Sequence, residues 1–187
     1  MKSFFVLLFS LVVAHGFCQN QLNPAVQHFL NEFVSNNEHA KNLYFRPNLN
    51  ARAVEDGISI LDCNGGLCAF KDHYNQKVVF VLSEEEKKVI KETWILQQSK
   101  PWDSTILEHA TIFREKTMPE NATKEQRLEY FQQFEGKNII QFSMPVFLRN
   151  DSLCVFFYIG DGSGSIFILR KEDGKWIQYL KKLVFLS

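Results

Sequence analysis

The chain has 187 residues, of which 45% are hydrophobic, and its 21 basic residues balance its 21 acidic residues. A chain of this length can bury the core of one ordinary domain. The zero formal charge gives no electrostatic support for a nucleic-acid partner or for an anionic membrane. Eighteen phenylalanines favour a well-filled, β-rich core over disorder.

The N-terminal segment has the pattern of a secretory signal peptide. Lys2 precedes an apolar run over residues 4–13, which is shorter than the ~20 residues that a transmembrane helix needs. Small residues predict cleavage after Gly16 or after Cys18. We therefore expect residues 1–18 to be a signal peptide and residues 19–187 to form a single α+β domain.

Export would place the mature protein in the periplasm or outside the cell, with no transmembrane segment. A lipid anchor on Cys18 is the less favoured alternative, because Phe17 stands where a lipobox requires a small residue. Loss of Lys2 with the signal peptide would leave the mature chain about one charge unit negative, since 20 basic residues would then face 21 acidic ones.

Capping residues predict three helices. Asn23 and Pro24 favour a first helix start, because Asn is a good N-cap and Pro is preorganised for the first helical position. Two capping boxes, each a Ser or Thr followed three residues later by Glu or Gln, predict two more starts: Ser83 with Glu86, and Thr123 with Gln126. In the last helix, the spacing predicts that Leu128, Phe131 and Phe134 point inward.

Apolar runs and alternation predict an antiparallel sheet. Three short runs predict early strands: residues 58–61, 67–70 and 78–82. Alternation over residues 140–148 predicts a half-buried strand. Three more strands, joined by tight turns, form a C-terminal meander: residues 153–159, 166–170 and 176–180. The predicted fold class is α+β, an antiparallel β-sheet with a C-terminal meander and two or three helices packed on one side.

Cys63 and Cys68 flank the sequence Asn-Gly-Gly-Leu, which suits a hairpin with a two-residue turn. In that register the two cysteines lie opposite each other with Cα atoms ~4.5 Å apart, within disulfide reach. An oxidising compartment favours the bond. Unpaired thiols, a redox pair or a metal clip are the alternatives, although the spacing fits neither of the last two. Cys154 is predicted to be a buried thiol.

A glycine-rich segment lies between two predicted strands and consists of Gly160, Asp161, Gly162, Ser163 and Gly164. It lacks both the G-x-G-x-x-G spacing and the following helix of a phosphate-binding loop. A flexible hairpin turn is the simplest interpretation. The functional interpretation is a ligand-contacting rim, and Trp102, which follows Pro101 in a loop, is the aromatic residue most expected to join it.

No catalytic, cofactor-binding or metal-binding set is predicted. Ser143, His73 or His109, and Asp103 supply the groups of a hydrolase, but no motif joins them.

The residues also suggest a resemblance. Residues 82–90 (LSEEEKKVI), 101–103 (PWD), 142–147 (FSMPVF) and 173–176 (DGKW) resemble a group of uncharacterised exported proteins of Gram-negative bacteria. The resemblance covers roughly the C-terminal hundred residues. It implies export, a bacterial source and a C-terminal meander, and it implies no named activity.

These features favour an exported, non-enzymatic binding or interaction protein whose partner is an unknown protein or small molecule of the cell envelope. No nucleic-acid partner and no cofactor are predicted. One alternative is a hydrolase acting on envelope or extracellular substrates. A second is an inhibitor or chaperone-like protein that recruits a strand to an exposed sheet edge.

Overall fold

The computed structural model describes residues 24–36, 42–62, 67–72, 74–160 and 162–186. The predicted signal peptide lies outside these residues. Within them, no helix is both long enough and apolar enough to cross a membrane.

The described part of the chain contains four helices. They are α1 (Pro24–Ser35), α2 (Ala51–Leu61), α3 (Glu84–Ser99) and α4 (Lys124–Gln132). Both predicted capping boxes are formed: Ser83 exchanges hydrogen bonds with Glu86 at the start of α3, and Thr123 does so with Gln126 at the start of α4. These caps satisfy backbone N–H groups that have no partner inside the helix.

Within the described residues, nine strands form one mixed sheet. They are β1 (Leu43–Phe45), β2 (Leu67–Lys71), β3 (Lys77–Val81), β4 (Thr111–Ile112), β5 (Asn138–Phe142), β6 (Val146–Leu148), β7 (Leu153–Gly160), β8 (Ser163–Glu172) and β9 (Lys175–Leu186). The strand order is β3-β2-β9-β8-β7-β5-β1-β4, with β6 also paired to β7. Strand β1 runs parallel to β4 and β5, and the other pairs are antiparallel. The predicted α+β class and C-terminal meander are confirmed.

Helices cover both faces of the sheet, whereas the sequence analysis placed them on one side. Neighbouring residues of β7 show this, because they point to opposite faces. The Phe156 ring packs against Phe29 of α1 with centroids 5.4 Å apart, and the Phe157 ring lies 6.2 Å from Trp94 of α3. Strand β7 is apolar on both faces because each face supports its own core.

The predicted strand at residues 58–61 is wrong, because these residues form the last turn of α2. Ala53, Val54, Gly57 and Leu61 make a buried stripe at helical spacing, and this stripe extends the helix through Leu61. The segment after α2 therefore joins a helix to β2 rather than two strands of a hairpin. Residues 63–66 and the side chain of Cys68 lie outside the described residues, so the Cys63–Cys68 disulfide remains a prediction.

Two smaller expectations also change. The alternating segment at residues 140–148 forms two strands, β5 and β6, because Pro145 falls between them and cannot donate to a ladder. The predicted inward residues Leu128 and Phe131 of α4 are 60% and 61% exposed. Phe134, just after the end of α4, does pack inward, with its ring centroid 5.4 Å from that of Phe113.

Candidate functional site

A polar cavity lies where the first turn of α2 meets the ends of β1, β5, β7 and β9. Its volume is about 430 Å³, within the range of small-molecule sites. We call it the α2 cleft; its lining residues are Arg46, Asn50, Arg52, Ala53, Asp56, Gln141, Ile159 and Phe185.

Arg46 follows β1 directly and is held firmly in place. Its backbone N–H donates to the Ile140 carbonyl at 2.9 Å, which continues the β1–β5 pairing. Its guanidinium forms a 2.8 Å ion pair with Glu115 and lies over the rings of Phe113 and Phe134. A guanidinium fixed in this way can bind a second group with little loss of side-chain entropy.

The first turn of α2 supplies the polar mouth of the cleft. Asn50 caps the helix, and its Oδ1 accepts from the Arg52 N–H at 2.8 Å. No acidic residue occupies this first turn, so the positive end of the helix dipole is not compensated there. Among the described residues, neither Arg52 nor Asp56 has an ion-pair partner.

Gln141 brings a nearly buried amide to the same place. The residue is 5% exposed, and its Oε1 accepts from the Asn50 N–H at 3.4 Å. The described residues provide no acceptor for its Nε2, so the amide keeps donor capacity. Across the ladder Gln141 lies opposite Ile159, which forms an apolar wall together with Phe185. The cleft thus combines hydrogen-bond donors at its mouth with an apolar wall.

This arrangement suits a small ligand that has both a carboxylate and an apolar portion. Guanidinium groups pair with carboxylates through matched hydrogen bonds, and Ile159 and Phe185 can cover an apolar body. Among the described lining residues there is no Ser, Cys or His that could act as a nucleophile or imidazole base.

The glycine-rich segment that was predicted as a rim forms a tight β7–β8 hairpin, with Gly160 opposite Ser163. Gly162 has φ +71°, which a glycine adopts without strain. Asp161 lies outside the described residues. A Cβ on Gly164 would lie 2.5 Å from the Phe185 ring, and one on Gly160 would lie 2.6 Å from the Tyr158 hydroxyl. The absence of side chains at these two glycines therefore leaves space for the rings of Phe185 and Tyr158. Gly164 lies beside the α2 cleft because the Phe185 ring that covers it also lines the cleft.

Trp102 does not lie on a rim. It is 4% exposed, its ring packs 5.4 Å from that of Phe142, and its Nε1 donates to the Phe142 carbonyl at 3.0 Å. The same carbonyl accepts from Gln97 Nε2 at 3.1 Å. Trp102 and Gln97 thus supply two donors to the backbone carbonyl at the end of β5.

Two of the hydrolase groups, Ser143 and Asp103, serve local structure. Ser143 is buried, and its Oγ accepts from the Phe157 N–H at 2.8 Å. Asp103 is exposed and accepts from the Thr105 N–H at 2.9 Å, which lowers the pKa of the Asp103 carboxyl. His109 is exposed, and His73 lies outside the described residues.

A second groove of about 560 Å³ borders β8, β9 and the β2–β3 hairpin. Its three charged residues already have partners. Arg170 pairs with Glu172, and Asp72 Oδ1 accepts from the backbone N–H groups of Tyr74 and Gln76. We therefore favour the α2 cleft, where Arg52, Asp56 and the Gln141 amide keep hydrogen-bonding capacity.

The cleft escaped the sequence analysis because no sequence motif marks Arg46, Asn50 or Arg52. One signal was present: Asn50 precedes the periodic sequence ARAVEDGISIL, which is typical of a capped helix. Comparison with models of known protein families, with curated proteins and with solved structures found no match. Function is therefore argued from the geometry of the cleft.

Proposed function

We propose that this chain is an exported, non-enzymatic binding protein whose α2 cleft holds a small carboxylate ligand with an apolar portion. The observation that carries the proposal is the convergence of Arg46, Arg52 and Gln141 beside Ile159 and Phe185. Arg52 and Gln141 would bind the carboxylate, Arg46 would offer further N–H donors beside its ion pair with Glu115, and the two apolar residues would cover the remainder of the ligand.

Calorimetry with 3-phenylpropanoate tests this function, with the neutral 3-phenylpropanamide as the matched ligand. We expect a dissociation constant of about 0.1–1 mM for the acid, given its size, and much weaker binding of the amide. Arg52→Gln should weaken binding of the acid about tenfold, because it removes a charged hydrogen-bond donor.

Arg114→Gln is the control for that substitution. Arg114 is exposed and lies outside the cleft lining, so this variant should bind as the wild type does. Equal binding of acid and amide, or equal loss in the two variants, would contradict the proposal.

Export is supported by the apolar, lysine-led N-terminus of the sequence. Mass spectrometry of the purified chain after alkylation under native, non-reducing conditions tests both the export and the disulfide. We expect an N-terminus at residue 17 or 19 and no alkylated Cys63 or Cys68. Cys154 should also stay unmodified, because it is fully buried and burial raises the pKa of its thiol well above the usual value. An intact Met1, or alkylation at Cys63 and Cys68, would reject these two expectations.

A further inference from the structure

Three lysines stand in one row across three adjacent strands. Lys71 of β2 lies directly opposite Lys77 of β3, and on its other side it lies opposite Lys181 of β9. Directly paired residues point to the same face of a sheet, with Cβ atoms about 5 Å apart. Like charges in this position repel each other and reduce the stability of the sheet.

Nothing in the described part of the chain neutralises the row. All three lysines are exposed, and none of them forms an ion pair with a described residue. The carboxylate nearest in sequence, Asp72, accepts hydrogen bonds from its own turn. Lys181 Nζ lies 5.0 Å from the centroid of the Phe167 ring, which offers only partial compensation.

Apolar side chains continue the same face. Val79, Val81 and Leu183 lie two or four residues along their strands from Lys77 or Lys181, and they are 65%, 51% and 49% exposed. We call these six residues the basic shelf. It combines a line of positive charge with an adjacent apolar surface, and it lies on the sheet face that also carries Phe167, opposite the face of the α2 cleft.

Helix α1 forms one wall of the basic shelf. Phe33 of α1 packs on the Phe167 ring with centroids 5.6 Å apart, and Lys181 approaches the same ring. A helix is about 10 Å across, so the shelf is recessed beside α1 by that depth. A flat bilayer surface would meet α1 before it reached the lysines, whereas a second helix would fit beside α1.

The positive charge of the basic shelf distinguishes between three remaining candidate occupants: the N-terminal part of this chain, a second copy of the chain, and a partner protein. The residues before Pro24 include no Asp or Glu, so that part of the chain brings no carboxylate to the lysines. A second copy bound face to face through a two-fold axis would bring lysines against lysines. We propose that the basic shelf docks an acidic amphipathic helix of a partner protein, with carboxylates on the lysine row and apolar residues on Val79, Val81 and Leu183.

NMR titration of the full mature chain tests this docking. The probe is a synthetic amphipathic peptide of about 18 residues, with Leu on one face and Glu on the other. A matched peptide carries Gln in place of Glu. We expect the Glu peptide to perturb the backbone amides of Lys71, Lys77, Val79 and Lys181, and the Gln peptide to bind at least about tenfold more weakly.

Two triple variants sharpen the test. K71Q/K77Q/K181Q should weaken binding of the Glu peptide about tenfold and should fold at least as stably as the wild type, since it relieves repulsion. K88Q/K100Q/K124Q removes the same charge from exposed lysines elsewhere and should bind as the wild type does.

Four results would overturn the docking proposal. The first is the absence of saturable binding of the Glu peptide, and the second is an equal weakening of that binding in both triple variants. The third is binding to phosphatidylglycerol vesicles that depends on the shelf lysines, while the peptide does not bind. The fourth is self-association of the chain that is lost in K71Q/K77Q/K181Q. All these measurements leave the α2 cleft unaltered, so their failure does not bear on the proposed carboxylate site.

Discussion

At the scale of single residues, the position of the Phe185 ring in the wall of the α2 cleft depends on the absence of a side chain at Gly164. The Phe185 ring lies over this glycine, where an added Cβ would be 2.5 Å from the ring of Phe185 and 3.0 Å from that of Phe157. Gly164 pairs with Phe185 across the β8–β9 ladder, so the ring covers the backbone of its own cross-strand partner. The missing side chain at residue 164 thus sets the position of the apolar cleft wall.

Gly164→Ala should lower the free energy of unfolding by about 1–3 kcal/mol, because the new methyl group overpacks this region. Urea denaturation measures the change. The double variant with Phe185→Leu should recover part of the loss, since a smaller side chain leaves room for the methyl group. If the two substitutions destabilise additively, the Phe185 ring does not limit the space at Gly164.

At the scale of elements, hydrogen bonds between residues close in sequence make helix starts predictable. The end of α2 and the assembly of the cleft depend instead on contacts between distant segments. Both capping boxes were found from four residues each, because their hydrogen bonds are local. Helix α2 escaped because the apolar residues at its end also fit a short strand. The cleft was not predictable, since Arg46, Gln141 and Phe185 come from distant segments that only the sheet pairing brings together.

The capping box of α3 also carries a pH-dependent ion pair. Arg149 Nε donates to Glu86 Oε1 at 2.8 Å, and the Arg149 guanidinium also donates to the Val81 carbonyl. The hydrogen bond from Arg149 is the largest cause that lowers the pKa of Glu86 below its ordinary value of 4.5. Since the folded state favours the ionised form, this stabilisation is present above pH 4.5 and is lost as the pH falls through the lowered pKa.

Glu86→Gln should therefore reduce stability by about 1 kcal/mol at neutral pH, and the difference from the wild type should shrink on acidification. Thermal unfolding across the pH range measures it. The adjacent Glu85→Gln is the matched control, because Glu85 is exposed, and we expect its effect to be small at every pH. A wild-type advantage over Glu86→Gln that is constant with pH would show that the charge of Glu86 is unimportant.

At the scale of the whole molecule, one sheet separates two surfaces of different chemistry. Strand β9 takes part in both: its Phe185 lines the α2 cleft on one face, and its Lys181 and Leu183 belong to the basic shelf on the other. The formal charge of zero did not predict this difference between the two faces, because the net charge of a chain carries no information on where its charges cluster. A small ligand in the cleft and an acidic helix on the shelf would bind to opposite faces of the same sheet.

A crystal structure of the mature protein with 3-phenylpropanoate is the most direct test of the proposed carboxylate site. We predict the ligand carboxylate within hydrogen-bond distance of the Arg52 guanidinium and Gln141 Nε2, with the phenyl ring against Ile159 and Phe185. A ligand bound elsewhere, or bound in the cleft with its carboxylate directed away from both donors, would contradict this account.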